Sequence, residues 1–406
     1  MRPAAASRNR RDRQAPLQRA CRSLSCVWKE RNICFVRTLF AFARREAVLT
    51  ISFCCALLSM LAVPPDAGYA DYIDLRVLCL LFCLMAVVAG LQQCGLFALL
   101  AQRLLSGRRP LRVLYLVLVL LPFFTSMLVT NDVALLTFVP FSVLVLGHIG
   151  RPEALIRVVV LQTLAANLGS MATPVGNPQN LFLCSAFALP LGDFLSVVLP
   201  PALISLLALA AAALATRGGT VEISFPERAR ITQPRLFALL CGLFALCLLS
   251  VVHVLHYLIL TAVVALCLLL CARGLFRQVD YALLATFVCF FVFAGNVGRI
   301  EAVRAALESL MRAGAYGTSL LASQVISNVP AAVLLAGFTD NWRALLTGVN
   351  IGGLGTPIAS LASLISLKLY LRAEHASLPR YLAVFTAANA AGLAVLSAAA
   401  ALLGLL

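Results

Sequence analysis

Two polar clusters interrupt apolar stretches of this 406-residue chain: Thr130-Asn131-Asp132 within SMLVTNDVALLTFVP, and Ser327-Asn328 within SQVISNVPAAVLL. An asparagine can lend its side-chain carbonyl to a cation while its amide N–H serves an anion. Asn131 and Asn328 therefore suit a site that holds a small anion and a cation together. The plainer alternative is a hairpin-turn asparagine satisfied by backbone. Asp132 is the only acidic residue at the centre of an apolar stretch. An ionised carboxylate there costs about 3 kcal/mol or more on insertion scales. It is expected to bind a cation or carry a proton, with capping of the turn as the structural alternative.

Two further segments, NLGSMATPVGNPQN and VNIGGLGTPIASLASLI, place glycines and a Thr-Pro pair inside apolar runs. Proline removes a backbone donor and stops a helical ladder, so Thr173-Pro174 and Thr356-Pro357 are expected to break helices and to offer substrate contacts. Asn177 and Asn180 follow the first break and can donate to a substrate. A break strands N–H and C=O groups that would cost several kcal/mol each facing lipid. The loops must therefore line a site buried in protein or reached by water.

The elements that position these groups are membrane spans. Apolar residues make up 62% of the chain and charged ones 12%, against roughly 45–50% and 25% in soluble domains, which excludes a water-soluble globule. Full crossings are expected at 47–63, 73–102, 154–187, 194–216, 236–253, 257–272, 280–297, 344–371 and 381–405, with re-entrant hairpins at 113–147 and 316–338. The expected fold class is all-α: a polytopic membrane protein with about nine spanning helices, two of them interrupted, plus two hairpins. Residues 1–45 hold 12 of the 32 basic side chains and only two acids, so the net charge of +16 is mostly a tail. That tail is expected to be disordered and cytoplasmic, with a transit peptide or a start codon set too early also open. Nucleic-acid binding would need a folded basic face with aromatic platforms, and the tail has neither. Loop arginines then place the N-terminus inside and, after nine crossings, the C-terminus outside. Most of the 14 cysteines lie in apolar runs and read as small hydrophobes. His253 and His256 have no nearby carboxylate or Cys to complete a metal set.

Three elements recur in order: VVAGLQQCGLF with FVFAGNVGRIE at an offset of 205, the two Asn clusters at 197, and the two Thr-Pro breaks at 183. The expected topology inverts one copy relative to the other, so residues 46–216 and 236–406 form inverted repeats joined by a cytoplasmic linker at 217–235. Inverted repeats with interrupted helices are a construction typical of secondary transporters.

The four polar patches, spread over residues 73 to 371, resemble the ion-transporter superfamily that includes sodium/dicarboxylate symporters, citrate-metal symporters and arsenite permeases. The resemblance implies an elevator-type carrier in an integral membrane setting, such as a bacterial inner membrane, plausibly a homodimer. By the same resemblance, Ser126, Thr130, Asn131 and backbone near Gly169 form one cation site beside Asp132. Ser323, Ser327, Asn328 and backbone near Gly352 form its partner. The carboxylate branch reads Ser-Asn-Thr at both tips, whereas this chain reads Thr-Asn-Asp and Ser-Asn-Val. No Lys or Arg lies in either hairpin, so an anion would be neutralised by cations and helix N-termini. No cofactor is expected beyond sodium or a proton as coupling ion. The expected function is cation-coupled transport of citrate or another small carboxylate. The alternative on the same scaffold is arsenite efflux or sodium/proton exchange. An enzyme is not expected, since HExxH, paired intramembrane aspartates and GxxxxGK[ST] are all missing from the sequence.

Overall fold

A computed structural model describes residues 46–406 except 217, 224, 226, 227 and 375. The expected tail at 1–45 and part of the expected linker lie outside the described residues. The regular structure is helical apart from one short antiparallel ribbon, Gly107–Pro110 (β1) with Thr220–Ile223 (β2). The helices of the first half are α1 (Ala47–Ala62), α2 (Leu75–Gln93), α3 (Leu96–Leu105), α4 (Leu111–Ser126), α5 (Asn131–His148), α6 (Leu155–Ser170), α7 (Pro178–Ala186) and α8 (Leu191–Leu214). Then follow α9 (Pro234–Val251), α10 (Tyr257–Cys271), α11 (Tyr281–Arg299), α12 (Glu301–Ile326), α13 (Asn328–Leu335), α14 (Trp342–Ile351), α15 (Leu361–Tyr370) and α16 (Leu378–Leu402).

Six of these, α2, α5, α8, α9, α11 and α16, are long and apolar enough to cross a membrane. Leu61 and Leu402 are more than four-fifths exposed, at 81% and 89%, and many other large apolar side chains join them on the outer face. On helices of spanning length, an apolar surface of this extent is one that faces lipid tails. The chain is an all-α polytopic integral membrane protein.

One expectation is corrected. The single span at 73–102 is two helices, because Gly95 adopts φ +88° between α2 and α3. A Cβ there would meet the Arg230 carbonyl oxygen at 2.9 Å, so the passing linker also demands glycine. Residues 301–313, between the crossing expected at 280–297 and the hairpin expected at 316–338, are helical and run into the second hairpin through a bend at Gly314. Their charges pair along the helix, with Arg304 2.7 Å from Glu308. The linker contributes β2.

Packing crosses between the halves. Helix α1 packs on α11, and α9 and α10 pack on α2. Helix α5 of the first hairpin packs on α15, while α13 of the second packs on α7. Within each half the hairpin and the interrupted helix approach so closely that glycine is required. A Cβ on Gly169 of α6 would fall on the Phe123 carbonyl of α4, and one on Gly352 would sit 2.9 Å from the Ser323 Cβ of α12. Gly169→Ala is therefore expected to force the hairpin outward and cost about 1–3 kcal/mol, read as a lower unfolding midpoint in detergent. Gly242→Ala in α9, where a Cβ meets nothing within 4 Å, is expected to leave the midpoint unchanged or raise it.

Candidate functional site

The first hairpin turns at 127–130, with Thr130 in extended backbone capping α5 and half-buried. The second turns on one residue, Ser327, at φ +73°, ψ 155°. That region is almost reserved for glycine and costs on the order of 1–3 kcal/mol. The turn is held by the facing break: Asn328 N–H and Ser327 Oγ both donate to the Ala359 carbonyl, at 3.0 and 3.2 Å.

Both breaks are tied to the hairpins by the same kind of bond. Thr173 Oγ1 donates to the Met127 carbonyl and accepts from Gly176 N–H. Thr356 Oγ1 donates to the Gln324 carbonyl at 3.0 Å. Gln324 does more: its amide donates to the carbonyls of Gly352 (2.7 Å) and Leu354 (2.9 Å), and its side-chain oxygen accepts from Thr356 N–H (2.9 Å). Asn180 donates to the carbonyls of Met171 and Thr173 in the first break.

An asparagine network joins these parts across the halves. Asn131 Nδ2 donates to Asn167 Oδ1 at 2.9 Å, and Ser360 Oγ donates to the same oxygen at 2.9 Å. Asn167 Nδ2 reaches Ser363 Oγ at 3.5 Å. On the other side, Asn350 Nδ2 donates to Asn180 Oδ1 at 2.7 Å.

Between the tips and the wall formed by α1 and α11 lies a cavity of about 370 Å3. Its lining includes Asn131 and Asp132 from the first tip, Ser327, Val329 and Pro330 from the second, Asn177 and Gln179 after the first break, and Ser360 after the second. The opposite wall supplies Ser52, Thr286, Phe290 and Phe293. Asp132 is the only charged residue among those lining it, and none is Lys, Arg or His. Three buried polar atoms of the lining have no partner among the described residues: Asp132 Oδ1, Asn177 Oδ1 and Gln179 Nε2. Buried polar groups left unpaired cost about 1–3 kcal/mol each, so a cluster of three at one cavity marks a place where a ligand can restore the bonds. Leu334 lines both this cavity and a second of about 480 Å3, bounded by Tyr72, Phe182, Phe291 and Phe338.

Of the residues singled out from sequence, Asn131, Asp132, Asn177 and Ser327 reach the cavity. Asn328 is buried behind them, its Nδ2 so close to Gly353 that a Cβ there would lie 2.9 Å away. Ser126 and Ser323 are fully buried and donate to carbonyls of their own helices, Phe123 at 2.9 Å and Ser319 at 2.8 Å. Gly169 and Gly352 sit where hairpin and interrupted helix touch. Thr173, Pro174, Thr356 and Pro357 form the breaks, the two threonines bonded to hairpin backbone; Pro174 is buried and Pro357 half-buried. Among the described residues no group of three or more His, Cys, Asp or Glu could hold a metal ion.

Sequence reasoning overlooked Gln324, Gln179, Asn167, Asn350 and Ser360. Each is a polar residue in an apolar run, a signal that would have found them. Ser52 and Thr286 of the α1 and α11 wall carry the same mark, whereas Phe290 and Phe293 do not. Gln324→Leu strips partners from two carbonyls and one N–H of the second break. It is expected to cost at least about 1–3 kcal/mol and to speed amide exchange at 352–356, read by hydrogen-exchange mass spectrometry.

The citrate transporter family matches residues 37–347. The chain is 31% identical over 293 residues to an uncharacterized transporter of Methanocaldococcus jannaschii, covering 71% of this chain and 79% of that protein. It is 29% identical over 303 residues to the inner membrane protein YbiR of Escherichia coli, covering 73% and 80%. A shorter likeness, 37% over 142 residues, joins it to a silicon efflux transporter of rice, covering 34% of this chain and 28% of that protein. With four-fifths of a relative's length aligned and the family match spanning most of the chain, this membrane protein belongs to the citrate transporter family.

Proposed function

We propose that this membrane transporter is a cation-coupled secondary carrier that binds a small oxyacid in the 370 Å3 cavity between the two hairpin tips. The observation that carries the reading is the convergence of both tips and both breaks on one cavity with three unpartnered polar atoms. A cavity with one carboxylate and no basic side chain attracts cations and repels free anions. A carboxylate such as citrate would therefore enter with its charge offset by bound cations. Asp132 would hold a sodium ion or a proton, while Asn177 and Gln179 would offer the substrate an acceptor and a donor.

The inverted-repeat reading is supported by matched contacts. The Thr173–Met127 bond becomes Thr356–Gln324 when the repeat offsets of 183 and 197 are applied. Asn167–Ser363 becomes Asn350–Asn180 under the single offset of 183, so each bond is the other with the halves exchanged. Halves related in this way can exchange conformations, which is how inverted repeats give alternating access. The accompanying topology is nine crossings in a bacterial inner membrane, with the N-terminus cytoplasmic and the C-terminus outside.

A second reading, efflux of an uncharged metalloid oxyacid, is favoured by the lack of basic residues in the lining and by the likeness to the rice silicon efflux transporter. Proteoliposome transport of labelled citrate, other carboxylates and arsenite, with sodium and proton gradients imposed separately, distinguishes the two. Carboxylate uptake driven by one gradient is the expected result, and arsenite flux without carboxylate uptake would select the second reading. Asn131→Ala and Asn328→Ala are each expected to reduce flux at least about tenfold, the effect of 1.4 kcal/mol. Asp132→Asn is expected to remove the dependence on the driving cation. Undiminished flux in both asparagine variants would reject the site.

A further inference from the structure

A groove between α3 and α4 plays no part in the site above. Phe97, Leu100 and Leu104 of α3 face Leu116, Leu120 and Phe124 of α4 across a cavity of about 400 Å3. Its one polar lining residue, Thr125, spends its hydroxyl on the Leu121 carbonyl at 2.6 Å. Leu100, Leu104 and Phe124 remain exposed. The groove therefore presents only hydrocarbon along its length.

One end of the groove is basic. Arg103 adjoins Leu104, Arg112 lies one turn before Leu116, and β1 between them carries Arg108 and Arg109. The segment bearing Arg228 and Arg230 is held along α3 by Ala229 N–H to Gln102 Oε1 (2.7 Å) and Thr232 N–H to the Cys94 carbonyl (3.1 Å). Glu222 stands opposite Arg108 on the ribbon. None of Arg103, Arg108, Arg109 and Arg112 makes an ion pair within 4 Å among the described residues.

An occupant must be apolar along its length and anionic at one end. The chain's own segment 1–45, with 12 basic residues and two acidic ones, has the wrong sign. We propose that the groove binds an anionic phospholipid, with an acyl chain between α3 and α4 and its phosphate among Arg103, Arg108, Arg109 and Arg112. An amphipathic helix lying at the membrane interface is suited to this, with its apolar face in the acyl region and cations at headgroup level. Because α4 leads into the first hairpin tip, a lipid held there touches the hairpin at residues that do not line the substrate cavity.

The test places a tryptophan in the groove, Leu120→Trp, and reconstitutes the full chain into phosphatidylcholine vesicles containing brominated phosphatidylglycerol or brominated phosphatidylcholine. Fluorescence of the parent protein is subtracted. Half-maximal quenching is expected at a mole fraction at least about fivefold lower for phosphatidylglycerol. Combined Arg103→Gln, Arg108→Gln and Arg112→Gln substitution is expected to abolish that preference, and added inorganic phosphate to leave it intact. If the triple variant loses helical circular dichroism, Arg112→Gln alone carries the comparison and is expected to weaken the preference. Equal quenching by the two lipids, or a preference indifferent to the arginines, would overturn the proposal.

Discussion

Within a span, every backbone N–H and C=O must find a partner in protein, because lipid offers none. This chain interrupts two helices and turns two hairpins inside apolar segments, so it strands more such groups than a plain bundle. The rest of the structure is arranged to meet them. Gln324 satisfies two carbonyls and one N–H of the second break, and Asn180 satisfies two carbonyls of the first. Thr173 and Thr356 tie each break to its hairpin, and Ala359 receives both donors of the strained Ser327 turn. Each of these polar side chains thus meets a backbone group that needs it.

The same constraint joins the halves. Asn167 and Asn350 stand at the ends of the two interrupted helices, and each reaches across to the other half, to Ser360 and Ser363 in one case and to Asn180 in the other. Hairpin α5 rests on α15, and α13 on α7. Each half satisfies groups of its own break, through Asn180 in the first and Gln324 in the second, and Asn167 and Asn350 add the bonds between the halves.

The atoms left over are not symmetric. Asp132 corresponds to Val329, Asn177 to Ser360 and Gln179 to Ala362 under the repeat offsets. The unpartnered carboxylate, carbonyl and amide therefore all come from the first half, while the second supplies the strained turn and an apolar face.

Composition and pattern alone determined the class of molecule: an apolar fraction of 62% allows nothing but a lipid solvent. Asn131, Asn328 and the Thr-Pro breaks were legible for a related reason, since a polar residue in an apolar run must be retained for some partner. Sequence could not say which partner. It marked Thr173 and Thr356 as substrate contacts, where the fold shows them bonding hairpin backbone. It passed over Gln324 and Gln179, and it read 73–102 as one span because the turn at Gly95 answers to the Arg230 carbonyl, 135 residues along the chain. It also gave no sign of Phe290 and Phe293 in the opposite wall, which look like any others in an apolar helix. Hydrophobic patterning is written residue by residue, so it can be read one residue at a time. Which polar atom meets which, and which three are left facing a cavity, depends on distances between segments up to 196 residues apart, and only the packed tertiary structure sets those distances.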